Sequence, residues 1–335
     1  MRIKIIILLS LITFFGCKER NSEPKQNTII NVYAYENKFC PDYWKTNLVA
    51  FESVFECTIN LTIFDNTHKM IDKIMQEKDS TKVDVVLGID NMLAAKVIAD
   101  SIFTPLRLKN TASSNNIIKA KEDKLIPLFY SPLAFLYEVE EFPNVPETFG
   151  EMQDGIWKNK LIVSNPLTSA EGNSFLGWSI AAFGTNGYGH FWRSMKANIY
   201  AITTSWDKAI DMFLADEAPL VICPASYLEY FLQVENTDKY NTFIPAEGTF
   251  IYSEFGGVLE SSENKKEATN LLNYLLSDEF QQTIVSQRWM IPINKNINHN
   301  LPIAEYEIDL TKNLKDEAIA ENLTKWGKRW LKLTQ

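Results

Sequence analysis

Carboxylate, hydroxyl and aromatic side chains follow the predicted strands of this chain, at the places where the strands end. They are Tyr35 and Glu36 after 29–34, Asp65 after 59–64, Asp90 and Asn91 after 83–89, Ser164, Asn165, Thr168 and Ser169 after 161–163, Ser205 and Trp206 after 201–204, and Ser226, Tyr227 and Tyr230 after 219–223. The set contains no Lys, Arg or His. Aromatic rings present a negative face to cations, and carboxylates add charge. These residue types therefore indicate a site for an organic cation rather than for a free anion.

Each member of this set also has a structural interpretation. Asp and Ser are common N-caps, so Asp65, Asp90 and Ser169 would equally serve to cap the helices that follow them. Trp206, Tyr230 and Trp289 would either contact a ligand or be buried, in the core or at a domain interface. The pattern as a whole therefore carries more weight than any single residue.

Alternating strand-like and helix-like runs position these residues. Residues 59–64 alternate apolar and polar side chains, and 67–78 carry an apolar helical face. Residues 83–89 are almost continuously apolar, which is typical of a parallel strand covered on both faces. The rhythm returns over 135–245. We predict two open α/β lobes. Lobe 1 would comprise 29–130 with 246–335, and lobe 2 would comprise 131–245, with a ligand beyond the carboxyl ends of the strands.

Composition and charge argue against several functions. The 335 residues include 33 Lys and Arg against 42 Asp and Glu, a net charge of −9, so nucleic acid is not an expected partner. The histidines His68, His190 and His299 are too dispersed in sequence to indicate a zinc or acid–base site. No Gly-x-Ser-x-Gly, His-Glu-x-x-His or P-loop motif occurs, and Cys223 is only a remote candidate nucleophile. We expect no catalysis, no metal and no cofactor.

The N-terminus predicts export and lipid attachment. Arg2 and Lys4 precede an apolar stretch over 5–15, which is shorter than the roughly 20 residues that span a bilayer. We interpret residues 1–16 as a signal peptide. Gly16-Cys17 resembles a bacterial lipobox, at which cleavage leaves an acylated Cys17. The polar residues 17–28 would then tether a lipoprotein to a membrane at the periplasmic face of the cell envelope. The alternative is a chance cysteine behind an ordinary signal peptide.

Three further cysteines remain in the exported chain. Export implies an oxidising compartment, in which Cys40 and Cys57 are close enough in sequence to form a disulfide. The alternative is two buried or free thiols. Cys223 ends an apolar run and is expected to be a buried core thiol.

Five segments resemble one known family. They are VDVVLGIDN at 83–91, IPLFYSPLAFLYE at 126–138, NPLTS at 165–169, TSW at 204–206 and WMIP at 289–292. In this order they resemble the thiamine-binding proteins of bacterial ABC importers, which belong to the type II periplasmic binding protein superfamily. The resemblance implies a two-lobed clamp, a monomer that holds thiamine in the interlobe cleft and delivers it to membrane permease subunits.

The resemblance also implies which residues bind the ligand. Carried over by position, they are Tyr35, Trp44, Asp65, Ser169, Trp206, Tyr230 and Trp289. Glu36 stands where the family usually has Asp, and Pro224 replaces a family tyrosine, with Tyr227 one turn away. Glu36, Asp90 and Tyr227 complete the predicted site. The ligand form is left open among thiamine, a phosphate ester of thiamine and a fragment such as its pyrimidine.

Three other functions remain as alternatives. One is a protein of the same superfamily that binds iron(III) or a polyamine-like cation; here Tyr227 and Tyr230 are three residues apart, whereas iron binders use adjacent tyrosines. The second is a lipid-anchored enzyme that processes thiamine. The third is an adhesion or scaffold lipoprotein.

Overall fold

The computed structural model describes residues 28–77, 80–109, 117–301 and 314–335. The predicted signal peptide, most of the tether and the acylation site Cys17 lie outside these residues. The strands are β1 (Thr28–Tyr35), β2 (Cys57–Phe64), β3 (Val85–Asp90), β4 (Leu125–Glu138), β5 (Leu161–Ser164), β6 (Ile199–Thr203), β7 (Leu220–Pro224), β8 (Tyr240–Phe243), β9 (Ile251–Val258) and β10 (Ile291–Pro292). The α-helices are α1 (Tyr43–Asn47), α2 (Val49–Phe55), α3 (Thr67–Gln76), α4 (Asn91–Val97), α5 (Ala170–Met195), α6 (Trp206–Leu214), α7 (Leu228–Gln233), α8 (Lys265–Leu275), α9 (Asp278–Thr283) and α10 (Asp316–Thr334).

One long strand joins the two halves of the sheet. The strand order is β2-β1-β3-β9-β4-β7-β5-β6, and β8 and β10 also pair with β4. From Leu125 to Pro132, β4 is antiparallel to β9, whereas from Leu133 onwards it pairs with β7 and β8. We call the β1, β2, β3 and β9 side lobe 1 and the β5 to β8 side lobe 2. The predicted pair of α/β lobes is therefore present. The chain boundaries at 130 and 246 stay a prediction, which the change of partners along β4 supports.

The apolar run before Asp90 is explained by burial on both faces of the sheet. Every residue of β3 is buried. Val85 and Leu87 belong to the main core, whereas Val86 and Ile89 pack into a second core that includes residues of α3. Alternate side chains of a strand point to opposite faces, so a strand with a core on each face has no polar face.

Helix α10 packs against both lobes. It contacts α4 on the lobe 1 side and α5 on the lobe 2 side. Gly327 of α10 lies against the Leu167 side chain, and a Cβ at this position would lie 2.5 Å from Leu167 Cδ2, so a larger residue would require that side chain to shift. In the described part of the chain, no helix has the length and apolarity needed to cross a membrane.

The predicted Cys40–Cys57 disulfide is wrong. Both cysteines are buried free thiols, and so is Cys223, as expected for a core thiol. Strands β1 and β2 are parallel, and Cys57 pairs with Thr28 at the start of β1, whereas Cys40 follows the end of β1. An eight-residue strand is about 23 Å long, so the two cysteines stand at opposite ends of the sheet.

Candidate functional site

Aromatic rings from both lobes form a cluster at the interlobe interface. Phe39, in the loop after β1, inserts its ring among four lobe 2 rings at centroid distances of 4.6–5.6 Å. These rings belong to Trp206, Tyr227, Tyr230 and Phe231. The predicted site residues Trp206 and Tyr227 stack on each other at 5.4 Å. We call these five residues the aromatic cluster. Phe39 is not among the site residues predicted from the sequence, although its position just after a strand is the same signal that marked the others.

Trp289 extends this cluster to the surface. Its half-buried ring meets Tyr230 edge-on at 6.0 Å. An open groove of about 470 Å³ lies beside it, between α7 and the segment 285–301, and Glu229 and His299 also line this groove. The ring of Trp289 therefore lines a groove that a flat ligand can enter from the surface, and Tyr230 packs against this ring.

Polar groups also cross between the lobes. The hydroxyl of Tyr35 donates to Glu171 Oε1 at 3.3 Å, and Asn37 Nδ2 donates to the Tyr227 hydroxyl at 2.7 Å. Lys38 makes two contacts with α6: its backbone N–H bonds to Asp207 Oδ1 at 3.3 Å, and its ammonium pairs with Asp211. The C-terminal end of β1 therefore faces the helix N-termini of lobe 2.

Buried carboxyl groups stand next to the aromatic cluster. Burial raises the pKa of Glu171 to about 8, and the carboxyls of Asp207 and Glu254 act in the same direction. Burial also raises the pKa of Asp207 and that of Glu254, and the latter is opposed by the guanidinium of Arg288. Desolvation is the largest cause of all three pKa shifts, and neighbouring carboxyl groups add to it at Glu171 and Asp207. A bound cation would favour the ionised form of these groups. None of these three carboxyl groups is among the site residues predicted from the sequence.

Three predicted site residues make structural contacts within lobe 1, and their ligand contacts stay a prediction. Glu36 accepts from the backbone N–H of Trp44 at 2.7 Å, and Trp44 Nε1 donates to the Tyr35 carbonyl at 2.8 Å. The Trp44 ring is 0% exposed and stacks on Phe280 within lobe 1. Asp90, also 0% exposed, caps α4 by accepting from two backbone N–H groups, so its predicted cap is confirmed. These contacts lie within lobe 1.

Ser169 and Tyr35 lie where the two lobes meet. Ser169 Oγ accepts from Gly172 N at 3.3 Å, which confirms the N-cap of α5, and it also donates to Glu171 Oε2 at 3.0 Å. Tyr35 is buried, and its hydroxyl reaches Glu171 across the interface. Their ligand contacts stay a prediction.

Asp65 does not cap α3. Its side chain is 68% exposed and forms an i,i+4 ion pair with Lys69 at 3.1 Å. The neighbouring Asn66 caps the helix by accepting from Lys69 N at 3.0 Å, and its amide donates across the interface to the Thr168 carbonyl. Asp65 still lies near enough to Asp207 to raise the pKa of that residue. Asp65 thus stands at the rim of the interface, and its contact with a ligand stays a prediction.

Replacement of Asn66 by alanine is expected to lower the free energy of unfolding by about 1 kcal/mol, the usual cost of a lost N-cap. In a chain of this size the melting temperature should fall by about 1–2 °C. Asp65→Ala is the matched control and should melt like the parent, because an exposed i,i+4 ion pair contributes little. If thermal unfolding shows that the two variants lose the same number of degrees in melting temperature, the assignment of Asn66 as the cap is contradicted.

No group of three or more His, Cys, Asp or Glu side chains that could hold a metal ion occurs among the described residues. The ring and carboxyl groups at the interface can instead stack on and neutralise a flat organic cation.

This chain is similar in sequence and in fold to known binding proteins. The family described as bacterial extracellular solute-binding protein matches residues 80–312. The thiamine-binding periplasmic protein of Brucella abortus biovar 1 (strain 9-941) is 25% identical, with 98% of this chain and 99% of that protein covered. That of Salmonella typhimurium (strain LT2) is 26% identical over 79% of this chain and 81% of that protein. A solved periplasmic thiamin binding protein superposes with a TM-score of 0.83 at 21% identity, with 93% of this chain and 98% of that chain covered. The two-lobed fold of a type II periplasmic binding protein is confirmed.

Proposed function

Because this chain belongs to the family of bacterial extracellular solute-binding proteins, we propose that it captures thiamine or a thiamine phosphate between its lobes. It would deliver this ligand to the permease of an ABC importer. The observation that carries the proposal is the aromatic cluster, extended by Trp289 and flanked by buried carboxyl groups. The full-length similarity to a thiamine-binding periplasmic protein supports the choice of ligand.

The chemistry of thiamine suits these residues. Its thiazolium is a permanent cation, so binding requires no protonation of the ligand. Each aromatic ring that a cation meets contributes roughly 0.5–2 kcal/mol, with the larger values at desolvated sites. The aminopyrimidine offers donors and acceptors, which match the carboxyl and hydroxyl groups of Glu171, Ser169 and Tyr35. Several such contacts together approach the roughly −12 kcal/mol of nanomolar binding.

Lipid attachment would keep the protein near the permease to which it delivers its ligand. The proposed route is export by the signal peptide over residues 1–16, followed by acylation at Cys17, so that the polar residues 17–28 tether the binding lobes. The diacylglyceryl group expected on Cys17 carries two acyl chains, and two chains hold a protein at a bilayer surface without a transmembrane helix.

Native mass spectrometry of protein extracted in detergent and never refolded tests these statements together. We expect an intact mass that lacks residues 1–16 and carries a lipid, with thiamine or a phosphate ester retained. Calorimetry on the emptied protein should then give submicromolar affinity for the retained compound, unchanged by EDTA, and no product should accumulate.

Three outcomes of the same measurements would overturn the proposal. A retained iron ion, or binding abolished by EDTA, would indicate the iron-binding branch of the superfamily. A retained polyamine would indicate a different organic cation. Turnover of thiamine during the titration would indicate an enzyme.

A further inference from the structure

Glu171 is a buried carboxyl that touches both lobes. It lies in the first turn of α5 and is 2% exposed. Its Oε2 accepts from Ser169 Oγ of lobe 2 at 3.0 Å, and its Oε1 accepts from the Tyr35 hydroxyl of lobe 1 at 3.3 Å. Nothing in the family resemblance assigns a role to this position.

The carboxyl of Glu171 occupies the end of a long helix that would otherwise attract an anion. Unpaired N–H groups and the helix dipole make a helix N-terminus favourable for phosphate. Here Ser169 accepts from Gly172 N, and the carboxyl of Glu171 accepts from its own backbone N–H. The chain itself therefore places a carboxyl group at the position where this helix end would favour an anion.

The surroundings of Glu171 would repel a second negative group. Asp207 and Glu254 are close enough to raise its pKa. The nearby cations already have partners, since Lys38 pairs with Asp211 and Arg288 pairs with Glu254. A phosphate brought to this helix end would meet carboxyl groups and would have to displace an existing ion pair to gain a cationic partner.

We propose that Glu171 is a specificity-determining residue, which makes the interlobe cleft prefer thiamine to thiamine phosphate esters. The inference rests on the proposed function and narrows its ligand. The positive charge of the thiazolium attracts an ionised Glu171. The phosphate of an ester, in contrast, would approach a helix end that the Glu171 carboxyl already occupies and a region of negative potential.

This preference should grow with pH. The groups that act on Glu171 are Tyr35 of β1, Ser169 at its own helix end, Asp207 of α6, and Tyr252 and Glu254 of β9. With a pKa of about 8 without ligand, Glu171 is largely protonated at neutral pH and ionises as the pH rises. Ionisation strengthens attraction for the thiazolium and repulsion of the phosphate. The phosphate itself is already a dianion above about pH 7, because its second pKa is about 6.

The test is calorimetry with thiamine and with thiamine monophosphate, at about pH 7 and about pH 8.5, on the parent and on Glu171→Gln. At the higher pH we expect the parent to bind thiamine at least about tenfold more tightly than thiamine monophosphate, a difference of about 1.4 kcal/mol in binding free energy. The preference should be smaller at pH 7. In Glu171→Gln it should fall to within about threefold and lose its pH dependence. Glu279→Gln is the matched control, an exposed acid in the first turn of α9, and it should behave like the parent.

The outcomes separate the inference from the proposed function. Equal affinities for the two ligands in the parent, or a preference that survives unchanged in a folded Glu171→Gln, would overturn the inference alone. Failure of the folded parent to bind either ligand would overturn the proposed function. Melting temperatures of all variants identify any that fail to fold, and in that case Glu171→Asp, which retains the charge but withdraws it, should show an intermediate preference.

Discussion

Alanine in place of Trp289 is expected to weaken thiamine binding by more than about tenfold, which corresponds to at least about 1.4 kcal/mol. The indole is half-buried, meets Tyr230 edge-on at 6.0 Å and borders the open groove beside α7. Its loss removes a large ring face that a thiazolium or pyrimidine can stack on. Quenching of tryptophan fluorescence by thiamine and calorimetric titration measure the change.

Two variants control this experiment. Trp289→Phe keeps an aromatic face and should retain most of the affinity. Tyr200→Ala removes a 44% exposed ring from β6 of lobe 2, and it should bind thiamine as the parent does. The melting temperature of Trp289→Ala should stay close to that of the parent, because the ring is only partly buried. An unchanged affinity in this variant would place the ligand away from Trp289.

Arg288→Met is expected to be the most destabilising of the variants considered. Arg288 is fully buried, and its Nη2 donates to both carboxylate oxygens of Glu254, at 3.1 and 2.9 Å, while its Nη1 donates to Cys40 Sγ at 3.0 Å. Removal of one partner from a buried ion pair leaves the other charge uncompensated and costs about 3–5 kcal/mol. The melting temperature of the ligand-free variant should fall by on the order of 10 °C.

The loss of stability in Arg288→Met should increase with pH. Without Arg288, the buried Glu254 would stay protonated when folded, whereas in the unfolded chain it ionises above its ordinary pKa. The unfolded state then releases a proton that the folded state retains, so the destabilisation should grow as the pH rises above about 5. The double variant Arg288→Met/Glu254→Gln removes both charges and should recover most of the stability, with the Tyr252 hydroxyl still donating to position 254. A single variant that melts like the parent at pH 7 would contradict this account.

The buried ion pair also bears on the site. Arg288 ends the π-helical turn over Ile284–Arg288, and Trp289 follows with a left-handed backbone (φ 57°). The guanidinium lies over the Phe129 ring at 5.1 Å and is bound to β9 through Glu254. Arg288 thereby fixes the start of the segment that carries Trp289. No sequence pattern marked Arg288, because an arginine is ordinarily exposed and its burial depends on a partner 34 residues away.

Local patterns in the sequence were sufficient for the elements and for part of the site. The alternation over 59–64 and the apolar run before Asp90 both correspond to strands, since periodicity reports which faces of an element are buried. Trp206, Tyr227 and Tyr230 were identified from their places after strands, and they do lie together. The N-caps at Asp90 and Ser169 were predicted as alternatives for the same reason, because capping is a local property.

Only the tertiary structure decided which of these residues face the other lobe. Trp44 follows a strand as Phe39 does, yet Trp44 packs inside lobe 1 and Phe39 enters the rings of lobe 2. Glu171 meets Tyr35 across 136 residues of sequence, and Cys40 and Cys57, 17 positions apart by their numbers, lie at opposite ends of β1. Periodicity gives the burial of a side chain but not the identity of the group that covers it. That identity depends on the course of β4 through both halves of the sheet, which brings the two sets of strand ends face to face.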